Sequence, residues 1–328
     1  MYPGMVLEQK EGVSVKKILG LALVSALIVL PAAGVMAEET DTVKANEEYN
    51  IAFSLKTING DAFQQAIARA AQDAAEAAGC SLELVIAGSQ TDVDTQAQQI
   101  EEVIDGEVDA LIINPMDAGA LIPALEKAAE KNIPVVLVDS TIEEGNEDLY
   151  VTYIGTDNYA AAEEGAQVLS DAVGEGKVII VRGADGNSVG NARADGFKAG
   201  MGPAIELVSE APGNWDNDTA KQVTGEMLEA NPDVKGILSC SDVMVEGILQ
   251  AIDEAGLEDI KIMSFDGDSV ELIKEGKVLG TMAQFPSVMG ETAIETIVQI
   301  LNGDKAAEDF EKYINSGTEC YTIDNLPE

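Results

Sequence analysis

Short, uninterrupted apolar runs alternate with helix-length segments along most of this chain, and that alternation leaves few folds open. Tyr49 to Leu55 reads as a buried strand, followed by an alanine-rich helix from Asp61 to Ala78 that ends at Gly79. The strands LELVIA, DALIINP and VVLVD follow, separated by helices at Asp94 to Asp105 and Leu121 to Lys131. A polar turn, IGTDN, interrupts the pattern between Tyr153 and Asp157, and a long helix runs from Tyr159 to Val173. The cycle then restarts with KVIIV, IELVS, GILSC, IKIMSF and GTMAQF. Between these strands the spacing predicts helices at Asn191 to Met201, Thr219 to Ala230, Val245 to Ala255 and Ser269 to Glu275. A last helix, Glu291 to Asn302, and a short strand, Cys320 to Ile323, close the chain. Continuous apolar strands joined by helix-sized crossovers imply parallel sheets covered on both faces. The pattern therefore predicts an α/β protein of two doubly wound halves, and 328 residues suffice for two domains.

The N-terminus carries a different signal. Lys10, Lys16 and Lys17 precede an uncharged apolar stretch from Ile18 to Leu30, broken by Pro31 and followed by AAGVMA. This is the three-part pattern of a secretory signal, with cleavage expected after Ala37. The competing reading is an uncleaved anchor, since 18–37 carries no charge and could just span a bilayer. No cysteine stands near the site for lipid attachment. Residues 38–48 read as an acidic spacer. The protein is expected on the periplasmic or extracellular side of the cytoplasmic membrane.

Composition removes several function classes. The net charge of −40 repels phosphate backbones, so nucleic acid is not an expected partner. There is no histidine, which excludes Ser-His-Asp and Cys-His nucleophiles and His-ligated zinc. The three cysteines, Cys80, Cys240 and Cys320, form no CxxC pair and are expected to be buried small apolar residues. The acidic stretches NWDNDT and FDGDS lack the full calcium-loop pattern, so no metal is expected. Neither KTINGDAF nor GADGNSVG has the GxGxxG spacing of a dinucleotide site, which leaves a nucleotide-dependent enzyme as a distant alternative and no cofactor expected.

Ligands of open parallel sheets bind beyond the carboxyl ends of the strands. Lys56, Thr57 and Asn59 follow the first strand, and Asp139 and Ser140 follow the fourth. In the second half, Asn187, Asn191 and Arg193 follow KVIIV, Trp215 follows IELVS, Ser241 and Asp242 follow GILSC, Asp266 ends IKIMSF, and Gln284 ends its strand. Carboxylates, amides, one Lys, one Arg and the only tryptophan suit a neutral polyol: hydroxyls bond to the polar groups, and the aromatic face covers the C–H face of a ring. Each residue also has a plainer reading. A strand-end Asp is commonly a cap, and Asp242 precedes a helix; Arg193 could tie to Asp195; Trp215 could pack as a lid; Lys56 could be solvated. Their common location is what favours binding.

The same segments resemble the periplasmic sugar-binding proteins of ABC transporters, of the ribose-binding type. The resemblance rests on IAFSLKTINGDAF, LIINPMD, IPVVLVDS, IGTDN, RADGF, NWD, NPDVKGI, SDVMVEGIL, MSFDG and GTMAQFP, which span nearly all of the chain beyond the leader. It implies the type I periplasmic binding protein fold, two Rossmann-like lobes joined by a three-segment hinge. Lobe 1 would comprise 49–154 plus 286–313, and lobe 2 would comprise 155–285 plus 314–328. The crossings would lie near Ile154 to Thr156, Phe285–Pro286 and Tyr313 to Asn315. Asp139, Trp215, Asp266 and Gln284 fall on the family's ligand positions, Phe63 on a cleft aromatic, and Ser241 on the place of the usual Asn. Ala62 stands where a second stacking aromatic is common, and Ser140 and Asn191 stand where ribose binders carry arginines. Lys56 with Asp139 and Ser140 is also similar to relatives that bind a furanosyl quorum-sensing autoinducer. The implied protein is a monomer that passes a sugar or polyol to an ABC permease, with a chemoreceptor or sensor kinase as a second possible reader of the closed form.

Overall fold

The computed structural model describes residues 42–106 and 108–327; the expected leader and the start of the spacer lie outside them. The first half folds as β1 (Asn50–Leu55), α1 (Ala62–Ala78), β2 (Ser81–Ile86), α2 (Val93–Asp105), β3 (Ala110–Ile113), α3 (Ile122–Glu130), β4 (Val135–Val138) and β5 (Thr152–Gly155). The second half repeats the plan with α4 (Asn158–Val173), β6 (Gly176–Arg182), α5 (Ser188–Gly200), β7 (Ile205–Pro212), α6 (Asn217–Ala230) and β8 (Val234–Ser239). It continues through α7 (Val245–Ala255), β9 (Lys261–Asp266), α8 (Val270–Lys274) and β10 (Gly280–Gln284). The chain then returns to the first sheet with α9 (Pro286–Leu301) and β11 (Tyr313–Asn315), and ends in the second with β12 (Thr318–Thr322).

The sheet orders are β11-β5-β4-β3-β1-β2 and β12-β10-β9-β8-β6-β7. All pairings are parallel except β10–β12. Each lobe thus contains the doubly wound order 2-1-3-4-5, which opens a crevice where the winding reverses, between its first and third strands. The strands are apolar throughout because both faces are covered. On β1, Ile51, Phe53 and Leu55 pack toward α1 and α9, while Ala52 faces the layer of Ile100, Ile104 and Leu125. The second lobe builds its core from Val178 to Val181, Phe197, Ile237, Leu238, Met263 and Phe265.

Four expectations need revision. The IGTDN turn is the end of β5 plus a crossing, because Thr152 to Gly155 pair with both β4 and β11. Tyr313 to Asn315, expected only as a crossing, forms β11, and the chain changes lobes just after it. The last helix starts at Pro286, where the fixed φ of proline suits a first helical turn. Of the cysteines, only Cys240 is buried; Cys80 and Cys320 are half-buried, and all three thiols are free. Where the chain changes lobes, Thr156 Oγ1 donates to Gly317 O (3.2 Å), and Ser316 N donates to Gly155 O (2.9 Å), tying two crossings together.

Candidate functional site

Lobe 1 presents a buried ion pair at the strand ends. Lys56, next after β1, donates from Nζ to Asp139 Oδ2 (2.9 Å) and Ser140 Oγ (2.8 Å), next after β4. Lys56 is 4% exposed and Asp139 3%, so neither charge is solvated and each depends on the other. Burial raises the Asp139 pKa, but the nearby Lys56 and Arg193 charges outweigh it and hold the carboxyl below its ordinary range. Asp139 also has φ 61°, an uncommon conformation for a residue with a side chain, which the surrounding contacts enforce.

Lobe 2 builds the counterpart. Asp266, the last residue of β9, accepts at Oδ1 from Arg193 Nη1 (3.1 Å) and Gln284 Nε2 (2.8 Å). Its Oδ2 accepts from Ser241 Oγ (2.5 Å) and the Asp242 backbone N–H (3.1 Å). Arg193 is also anchored by Asn158 Oδ1 (2.8 Å) and Cys240 O (2.7 Å), and its guanidinium lies 3.7 Å from the Phe265 ring centre and 5.9 Å from that of Trp215. The Trp215 indole lies so close to Gly183 that a Cβ there would come within 2.0 Å of the ring. Trp215 itself has φ 56°.

Behind Asp266 stands Asp242. It does not cap α7; its carboxylate faces the loop after β9. Oδ2 accepts from the backbone N–H groups of Gly267 (3.0 Å), Asp268 (2.7 Å) and Ser269 (3.1 Å) and from Thr281 Oγ1 (2.9 Å). Oδ1 accepts from Ser269 Oγ (2.6 Å) and from Ser264 Oγ. These bonds pin a loop in which Asp266 has φ 118° and Gly267 φ 103°. Burial raises the Asp266 pKa; Arg193 opposes the rise and the Asp242 charge adds to it, so the carboxyl ends above its ordinary range.

The two clusters face one cavity of about 350 Å³, counting its opening to solvent. Lys56, Phe63, Asp139, Arg193, Trp215, Ser241 and Asp266 line it. Ser140 and Gln284 stand one hydrogen bond behind. Asn59 and Asn191 are not brought in; both are exposed. Asn191 faces outward because α5 starts at Ser188 with Asn187 as its cap, three residues earlier than the spacing suggests. Arg193 reaches Asp266 across the lobe and does not pair with Asp195.

The sequence reading missed Asp61, Gln64, Gln90 and Val189, which complete the lining. Asp61 caps α1 through the Gln64 N–H (2.9 Å) and accepts from Gln90 Nε2 (2.6 Å); burial raises its pKa. Gln90 follows β2, so the strand-end rule applied to that strand would have found it.

The chain matches the periplasmic binding protein domain over residues 51–305. It is 30% identical to the ribose import binding protein RbsB of Bacillus subtilis over 299 residues, covering 90% of this chain and 95% of that one. The D-allose-binding periplasmic protein of Escherichia coli is 28% identical over 77% of this chain and 87% of its own. Among solved structures, an ABC transporter solute-binding protein from Agrobacterium vitis with bound D-fucose superposes with a TM-score of 0.78. It is 30% identical, with 84% of this chain and 96% of that one covered. A homologue from Actinobacillus succinogenes with bound D-allose gives 0.77 at 26% identity, covering 84% and 98%.

Proposed function

The chain belongs to the periplasmic binding protein domain family, and on that premise we propose that it captures a monosaccharide or similar polyol between its lobes and delivers it to an ABC permease. One observation carries the reading: two buried cation–carboxylate pairs, Lys56–Asp139 and Arg193–Asp266, one from each lobe, line the same cavity. Sugar hydroxyls donate to the carboxylates and accept from the cations, and hydrogen bonds to charged groups are worth about 1.5–3 kcal/mol each. A few of them support about micromolar affinity. Phe63 and Trp215 supply the apolar surface for ring C–H groups. An anionic ligand is disfavoured, since Asp61, Asp139 and Asp266 outnumber the two cations.

The ligand grips both lobes, so binding stabilises the closed arrangement over the open one. The closed form alone presents both lobe surfaces in the spacing a permease reads. The ligand leaves chemically unchanged, and the leader at 1–37 exports the protein. The test is calorimetric titration with D-ribose, D-allose, D-fucose, D-arabinose, xylitol and the furanosyl autoinducer. Saturable binding of a sugar or polyol, lost in Asp266→Ala, supports the reading. Heat from none of them, or turnover of a bound sugar, overturns it. Binding of the autoinducer alone selects a quorum-signal receptor in place of a sugar importer, a role that the contact of Lys56 with both Asp139 and Ser140 would serve.

A further inference from the structure

Beside the cavity, the N-terminus of α5 is bonded directly to the opposite lobe. Asn187 is 1% exposed, and the two ends of its amide serve different lobes. Oδ1 accepts from the Val189 and Gly190 N–H groups (3.1 Å each), capping its own helix. Nδ2 donates into lobe 1, to Met116 O (3.1 Å), Ser140 Oγ (3.3 Å) and Pro115 O (3.4 Å). The amide orientation follows from its partners, with backbone donors on one side and carbonyls on the other. Two further bonds cross beside it: Ala118 N donates to Gly186 O (3.1 Å), and Thr141 N donates to Ser188 Oγ (2.9 Å). Ser140 Oγ, which Asn187 reaches, is the atom that also accepts from Lys56.

We propose that Asn187 is a positioning residue that holds the lobes closed, setting ligand affinity through the closed population and not through contact with the ligand. Opening the lobes breaks these bonds, so the latch stabilises the closed form whether or not the cavity is filled. An apparent dissociation constant equals the intrinsic one divided by the competent fraction. A residue acting only on that fraction therefore changes the affinity for every ligand by the same factor. This affinity statement rests on the cleft-binding reading; the closure statement does not.

The test uses the full chain and Asn187→Ser, which keeps an N-cap oxygen on α5 but cannot span to the other lobe. Ser188→Ala, which removes one cross-lobe acceptor, is the milder companion should Asn187→Ser lose its fold by circular dichroism. Small-angle scattering without ligand is expected to give a larger radius of gyration for Asn187→Ser than for the wild type, with Ser188→Ala in between. Titrations with D-ribose, D-allose and D-fucose are expected to weaken about tenfold, by one common factor for every sugar that binds. An unchanged radius of gyration overturns the latch. A loss of affinity that differs from sugar to sugar marks direct contact and overturns the positioning role. If no sugar binds even the wild type, the function proposed above fails, and the scattering comparison still decides the latch.

Discussion

Asp139 in lobe 1 and Asp266 in lobe 2 end equivalent strands, face one cavity and each contact one buried cation, yet their carboxyls are driven in opposite directions. Both lose hydration. At Asp139 the Lys56 and Arg193 charges prevail, and the carboxyl is held below its ordinary range. At Asp266 a second carboxylate, Asp242, lies just behind it and adds to burial, so the proton is held more tightly despite Arg193. The difference comes from what builds each strand-end loop. Lobe 1 holds Asp139 through one lysine and a serine, whereas lobe 2 uses a charged residue as the scaffold of its loop. The same geometry toward a ligand can therefore rest on supports of different electrostatic cost.

The largest effect that would break this contrast is on folding. Asp139→Ala strands a buried Lys56 with only Ser140 as a partner, and urea unfolding is expected to show a loss of about 3–5 kcal/mol. Asp266→Asn leaves Arg193 bonded to Cys240 O and Asn158 and removes the repulsion from Asp242. Its stability is expected to stay within about 1 kcal/mol of wild type, while calorimetry shows sugar affinity reduced by about 1.5–3 kcal/mol. Equal destabilisation by the two substitutions would erase the distinction between the lobes.

Asp242→Asn tests the source of the asymmetry. An amide cannot accept all six bonds, so stability falls by about 1–3 kcal/mol. Removing the charge also lowers the Asp266 pKa. The loss of sugar affinity on acidification is then expected at lower pH than in the wild type; an unmoved profile would mean that Asp242 acts on shape alone. Trp215→Ala is a smaller change, expected to cost about 1 kcal/mol of affinity and to abolish any ligand-induced tryptophan fluorescence change, since no other tryptophan exists.

The smallest effect is on pH and stability. Asp268, beside the same loop, has its pKa raised to about 6, first by loss of hydration and then by repulsion from Asp242 and Asp61. Its folded value exceeds the unfolded value of about 3.9, so the native state binds the extra proton between about pH 4 and 6. Stability therefore rises as pH falls through that window. Asp139 has the reverse sign: its contribution is complete above the unfolded pKa and disappears as pH drops through its lower folded value. Although its carboxyl loses part of its hydration, Asp268 as a residue stays exposed, so water screens the interaction, and Asp268→Asn is expected to raise Tm by only about 1–2 °C at pH 8 and not at pH 4. A variant whose Tm tracked the wild type at both values would assign the repulsion elsewhere.

Sequence alone determined the two α/β halves, because burial of a parallel sheet on both faces requires continuous apolar strands at crossover spacing, a pattern written locally at every element. It also placed Lys56 and Asp139 on the rim of the first sheet and Arg193, Trp215, Ser241 and Asp266 on the rim of the second, since strand ends in such a sheet share an edge. Tertiary structure alone decided the partners. Asn59 and Asn191 belong to these rims in sequence yet face solvent, because the angle around a turn or helix depends on where the element starts. Asp242 proved to be scaffolding and Asn187 a bridge between lobes, since their acceptors and donors come from segments dozens of residues away. Local pattern records which residues are apolar and where strands stop; which buried charge meets which donor is settled only when distant segments pack together.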